Sequence, residues 1–163
     1  MFAIGEYVIY GSNGICVVKD IAPIDIPGMV SDKMYYYLCP VGVKESKIYS
    51  PVDNPKVIMR KVLTKEEAQE LIKEFSDIPN LPEVSDRQME LQYKEVLASC
   101  DARQLVSLIK TIIVKRDKRI AMGKKITSTD ERYLKKAGDS LYSELAYALD
   151  KDRNEVEQYM MSL

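Results

Sequence analysis

Residues 114–125 read "VKRDKRIAMGKK": six bases and one acid within twelve positions, in a chain of 163 residues with a formal net charge of −1. Lys115, Arg116, Lys118, Arg119, Lys124 and Lys125 have the type and spacing to bind phosphate, their cationic groups displacing the counterions of a polyanion. A helix dipole accounts for one or two bases in a last turn, at about 0.3–1 kcal/mol each. Six exceed that need, because like charges three or four apart on a helix repel. A nucleic-acid backbone is the partner this concentration favours, against the plainer reading of a solvated surface. No helix-turn-helix, zinc-finger or RNA-recognition signature accompanies the block, so phosphate contact without base reading is expected.

Other chemistry is poorly supplied. The chain has no histidine, which removes the usual general base and the commonest metal ligand. Cys16, Cys39 and Cys100 lie far apart, outside metal or disulfide spacing, and read as reduced hydrophobes. A thiol-dependent enzyme built on Cys100 has only that residue in its favour, and its place before a capping Asp101 fits a packed helix terminus better. No catalytic role, cofactor or metal is expected. No apolar run approaches the roughly 18–20 residues that span a bilayer, and "MFAIGEYVIY" lacks a signal-peptide start. The expectation is a cytoplasmic chain without membrane contact.

The elements that must position the basic block change character along the chain. Net charge is +1 over residues 1–62, −5 over 63–100, +6 over 101–125 and −3 over 126–163. "EYVIY", "ICVVKDI", "KMYYYLCP", "SKIYSP" and "KVIMRKV" have strand grammar, with Asn13-Gly14 marking a tight hairpin and Pro23, Pro27 and Gly28 a longer connection. Five short strands fit a small barrel. Tyr35, Tyr36 and Tyr37 alternate faces and read as packing rather than as an aromatic cage.

From Thr64 the apolar period becomes helical. Thr64 with Glu67, Ser128 with Glu131 and Asp152 with Glu155 have capping-box spacing, and Asp101 is placed to cap a helix from Ala102. "SDIPNLPEVSD" reads as a loop or hinge, followed by a helix over about 86–99. Leu105, Leu108, Ile109, Ile112 and Ile113 form one stripe, ended by Gly123, and Leu134, Ala137, Leu141, Leu145 and Leu149 form another. The fold class is α+β: a small N-terminal barrel and then an all-α bundle.

The order of "FAIGEYVIYGSNGICVVKDI", "YLCPVGVKESKIYSPVDN", "LTKEEAQELI", "YKEVLASCDARQLVSLIKTI" and "GKKITSTDERYLKKAGDSLYSELAYAL" resembles the CarD/CdnL family of bacterial transcription regulators. The resemblance implies a Tudor-like, SH3-like barrel over 1–62 that binds the RNA polymerase β subunit. A connecting helix and linker would follow over 63–85, and then a helical domain over 86–163 that touches promoter DNA at the upstream edge of the transcription bubble. Lys47, Ile48 and Tyr49 in "SKIYSPVDN" would face the polymerase, with Tyr49 where some members carry arginine. The basic block would be the DNA side, joined by Arg87 and Arg132.

A tryptophan wedge of that family has no counterpart, since the chain has no tryptophan. Met89 in "SDRQMELQY" is the nearest large apolar candidate for a minor-groove wedge, and its place in a helical pattern favours packing between helices instead. The resemblance therefore implies a monomeric, non-enzymatic regulator that modulates open-complex stability and joins the nucleoid through polymerase. The competing reading is a protein–protein adaptor without direct DNA contact, whose basic block meets an acidic protein; the sequence pI of ≈ 5.7 and the missing tryptophan favour it.

Overall fold

Runs of β-branched and aromatic side chains set the first strands, β1 (Tyr7–Tyr10) and β2 (Ile15–Pro23), which pair antiparallel with Val8 opposite Cys16. The computed structural model describes residues 1–24, 32–43, 45–53 and 56–163. It divides into two compact units, Met1–Val62 and Leu63–Leu163. Pro27 and Gly28 of the expected long connection lie outside the described residues.

In the first unit β3 (Met34–Pro40), β4 (Ile48–Pro51) and β5 (Met59–Lys61) complete an antiparallel sheet of order β4-β3-β2-β1-β5. The expected barrel is not closed by hydrogen bonding among the described residues. Within those residues β4 and β5, of four and three residues, each pair on one side only, β4 with β3 and β5 with β1. The hairpin also differs from expectation. Gly11 (φ +50°) and Gly14 (φ +72°) take the left-handed angles, while Asn13 lies within the short 3₁₀ turn between them. Gly11 is constrained in space as well, since a Cβ there would meet Val57 at 2.9 Å.

Val8, Tyr10, Cys16, Val18, Tyr36 and Leu38 form the buried core of this unit, with Ile21, Val57 and Met59 packed against it. The register between β2 and β3 shifts at Lys19, so Val18 opposes Leu38 while Asp20 opposes Tyr37. That bulge lets Ile21 join the face that carries Cys16 and Val18, although strict alternation would turn it away. The tyrosine run alternates as its spacing requires. Tyr36 is buried and accepts the Phe2 amide at 3.1 Å, while Tyr37 lies half-buried and donates to the Pro23 carbonyl at 2.7 Å.

The second unit holds α1 (Lys65–Glu74), α2 (Asp86–Ser99), α3 (Ala102–Ala121), α4 (Ser128–Leu149) and α5 (Arg153–Met161). Thr64 and Glu67 form the capping box of α1, and Asp101 accepts the Arg103 and Gln104 amides at the start of α3. α4 is capped one residue earlier than its Ser128–Glu131 spacing implies: Thr127 accepts the Asp130 amide at 3.1 Å. Leu105, Leu108, Ile109, Ile112, Ala137, Leu141 and Leu145 are buried together as their periodicity requires. α1 and the segment after it belong to this core. Ala68, Leu71, Ile78 and Leu81 are buried in it, and the Leu81 amide donates to Thr111 Oγ1 at 2.9 Å. Lys110 fixes the same segment, donating to the Phe75 and Ile78 carbonyls at 2.9 and 2.6 Å. Glu144, also buried, accepts the Leu63 amide at 2.9 Å.

The caps differ in a way that urea denaturation measures. Asp101→Ala removes the bonds to two amides and should cost about 1 kcal/mol, lowering the midpoint with an unchanged slope. Ser85, at the N-cap of α2, makes no side-chain cap bond, so Ser85→Ala should leave the midpoint nearly where it is.

Candidate functional site

α3 is 20 residues long, and only its first half is interior: the buried positions run from Ala102 to Ile112. No residue from 113 to 129 is fully buried, so the end of α3 and the turn into α4 project from the core. The helix closes in a Schellman arrangement. The Gly123 amide donates to the Ile120 carbonyl at 3.0 Å and the Lys124 amide to the Arg119 carbonyl at 2.8 Å, with Gly123 at φ +74°. Arg119 adds a second tie, its Nε donating to the Lys125 carbonyl at 2.6 Å.

The six bases therefore take different roles. The Lys118, Lys124 and Lys125 side chains are exposed and make no hydrogen bond or ion pair among the described residues. Arg116 is half-buried beside Asp117 at 3.3 Å, and Arg119 is half-buried in the turn it fastens. Lys115 turns inward. Its ammonium lies 3.1 Å from Asp130 Oδ2 and 3.3 Å from Oδ1, and 3.1 Å from the Tyr93 hydroxyl.

Asp130 has no solvent exposure and also accepts the Tyr93 hydroxyl at 3.0 Å. Burial, with the Asp130 charge reinforcing it, pushes the Tyr93 phenol well above its ordinary range, so it remains a donor. Met89 of α2 is half-buried against the helical core and its sulfur touches the Lys115 ammonium. Arg87, at the start of α2, is exposed. Arg132 pairs with Glu90 at 2.9 Å and lies over the Tyr133 ring at 5.2 Å. Sequence reasoning missed Asp130, because nothing in "TDERY" distinguishes a buried acid from a first-turn acid in water.

In the sheet unit β4 is an edge. Lys47 is exposed just before it, Ile48 packs against the core, and Tyr49 is 48% exposed with its ring 5.0 Å from that of Tyr37, edge to face. Lys47 and Tyr49 line a groove of about 760 Å³ together with Lys19 of the bulge, Asp20 and Cys39. Among the described residues β4 pairs with β3 alone, so its outer main chain stands near an aromatic ring and two ammonium groups.

Two of the three cysteines are buried. Cys16 is buried, and burial, with Cys39 adding to it, pushes its thiol up to about 11. Cys100 is buried at the C-cap of α2 with φ 55°. Among the described residues no group of three His, Cys, Asp or Glu could hold a metal ion, and no helix is long and apolar enough to cross a membrane.

Residues 2–63 match the model of the CarD-like/TRCF RID domain. The match covers the sheet unit and ends where the helical unit begins. No curated protein matches the chain.

Two measurements test these placements. Lys115→Met strands a buried carboxylate and should cost roughly 3 kcal/mol, the low end for a buried pair because the lysine is partly exposed. Lys118→Met should fall within about 0.5 kcal/mol of wild type, and Asp130→Leu added to Lys115→Met should recover much of the loss. A raised thiol pKa means that Cys16 stays protonated at pH 8. Above about 9 the unfolded chain ionises first, so stability declines as pH rises. Native protein should leave Cys16 unalkylated by iodoacetamide at pH 8, and denatured protein should not.

Proposed function

We infer function from one premise: residues 2–63 match the model of the CarD-like/TRCF RID domain, a protein-interaction domain of RNA polymerase-associated transcription proteins. We propose that the protein is a transcription regulator that binds the polymerase β subunit through β4 and promoter DNA, without sequence preference, through its helical unit. It thereby modulates the stability of the open complex and is not an enzyme. The family match over residues 2–63 is the observation that carries this reading.

The open edge of β4 supports the first contact, because an extended segment of the partner can add to the sheet through main-chain bonds while Lys47 and Tyr49 select it. Ile48 supports the strand from beneath. Folding the sheet into a Tudor-like barrel is part of this proposal. Lys118, Lys124 and Lys125, unpaired among the described residues at the α3–α4 corner, support the second contact, with Arg87 beside them in role. Arg116, Arg119 and Arg132 are committed first to Asp117, the Lys125 carbonyl and Glu90, and reach phosphate only by sharing those bonds. Lys115 is the weakest contributor because it neutralises Asp130. Met89 as a wedge would have to leave the helical core.

Joining two weak sites raises avidity by about 10²–10⁴ where both engage at once. Neither contact then needs to be tight alone.

Retention of the full chain on immobilised polymerase tests the assignment. Tyr49→Ala with Lys47→Glu should weaken it roughly tenfold, as expected on removing an aromatic anchor. Lys118, Lys124 and Lys125 changed together to Gln should leave polymerase retention intact while shortening open-complex lifetime on promoter DNA. Retention that survives the β4 variant but fails in the lysine variant would reverse the roles of the two units. An unchanged open-complex lifetime in the lysine variant would favour an adaptor without DNA contact.

A further inference from the structure

The turn that ends α3 carries two large apolar side chains that face solvent: Ile120 is 58% exposed and Met122 66%. A Schellman turn usually shelters an apolar pair between its third-last helical position and the residue after the glycine. Here those positions hold Arg119 and Lys124, so the usual shelter is missing. The turn is nonetheless well fastened, by the Gly123 and Lys124 amides and by Arg119 to the Lys125 carbonyl. Ile126, just beyond, does pack on the helical core, so apolar residues of this corner are not exposed for want of a core to reach.

Position matters as much as exposure. Met122 follows Ile112, the last buried residue of α3, by ten residues, which at 1.5 Å per residue is about 15 Å of helix. Ile120 in the last turn of α3 and Met122 at its C-cap are both exposed, so the end of the corner is apolar at two neighbouring positions. Around it stand Lys118, Lys124 and Lys125, exposed and unpaired among the described residues. Dipole compensation explains a base in the last turn, and neither the two lysines beyond the helix nor the two exposed apolar side chains that precede them.

We propose that the α3–α4 corner is a base-contacting tip: Ile120 and Met122 press against unstacked bases while Lys118, Lys124 and Lys125 hold the flanking phosphates. This rests on the reading of the helical unit as DNA-contacting. Charge complementarity selects the occupant, because a projecting apolar end ringed by cations fits a polyanion whose apolar base faces have been exposed. Isoleucine and methionine are among the side chains that serve as wedges at opened base steps, and contact with an unstacked base is tolerant of sequence. A tip of this kind gives preference for melted over intact duplex without base-specific hydrogen bonds. It also uses side chains that already face solvent, whereas Met89 is held between α2 and the core.

The test measures binding of the full chain to a labelled duplex and to the same duplex with a short central unpaired segment, across a salt series. Wild type should prefer the unpaired form roughly tenfold, because the unstacking that a wedge must otherwise offset is already met there. Ile120→Gln with Met122→Gln should abolish that preference and leave duplex affinity and salt slope unchanged. Lys118, Lys124 and Lys125 changed to Gln should instead lower the slope, by about 0.9 for each phosphate no longer neutralised. A preference that persists in the Ile120/Met122 variant, or is absent from wild type, overturns the tip while the salt slope keeps the DNA reading. Binding to neither DNA removes both. Poly-glutamate that competes as well as DNA and fails on the Ile120/Met122 variant would assign the tip to an acidic protein.

Discussion

A carboxylate without access to water organises the helical unit. Asp130 stands in the first turn of α4, where Tyr93 of α2 and Lys115 of α3 converge on it. An unpaired buried carboxylate costs several kcal/mol, so α2, α3 and α4 are held to the one arrangement that brings both partners within reach. The helix N-terminus adds favourable potential at the same place. Tyr93 and Tyr133 pack edge to face beside it at 5.4 Å, so one flank of the polar contact is aromatic. Lys115 also marks where α3 changes character, from a helix inside a core to one that leads away from it.

Charge in this unit is sorted by local pairing. Glu90 meets Arg132 and Lys94, Asp139 and Glu157 meet Arg153, and Glu74 meets Arg103. The acidic runs on either side of the basic block are thus partly neutralised by bases elsewhere in the bundle. Among the described residues the Lys118, Lys124 and Lys125 side chains of the α3–α4 corner have no such partner, and Asp117 is the lone acid between residues 114 and 125. A near-neutral chain can therefore present a local cationic surface.

Much of the fold was legible from period and punctuation. Runs of β-branched and aromatic residues between turn residues located all five strands, and Thr64 with Glu67, Asp101 and Gly123 located helix ends, because each of those signals is satisfied by neighbours in sequence. Two local readings went astray for the same reason. Thr127 with Asp130 and Ser128 with Glu131 offer the same cap spacing, and Gly11 competes with Asn13 for the left-handed angle of the hairpin. The site was half legible. Composition marks where the bases cluster, but not which way a long side chain turns. Lys115 turns in because of Asp130, fifteen residues on, and Tyr93, twenty-two residues back. The openness of the sheet depends likewise on which short strands find a second neighbour.

The bulge at Lys19 has a bearing on misfolding. An antiparallel pair without irregularity can slip, and β3, with three tyrosines in succession, offers little to tell one register from the next. The extra residue in β2 removes that freedom. Cys16 and Val18 on one side of it and Ile21 on the other reach the core together only when Lys19 is the residue left unopposed. Any slipped pairing would misplace one side or the other and leave apolar side chains in water. The irregularity thus acts as a keyway, admitting one alignment of the hairpin and disfavouring the shifted ribbons from which intermolecular β-aggregates grow.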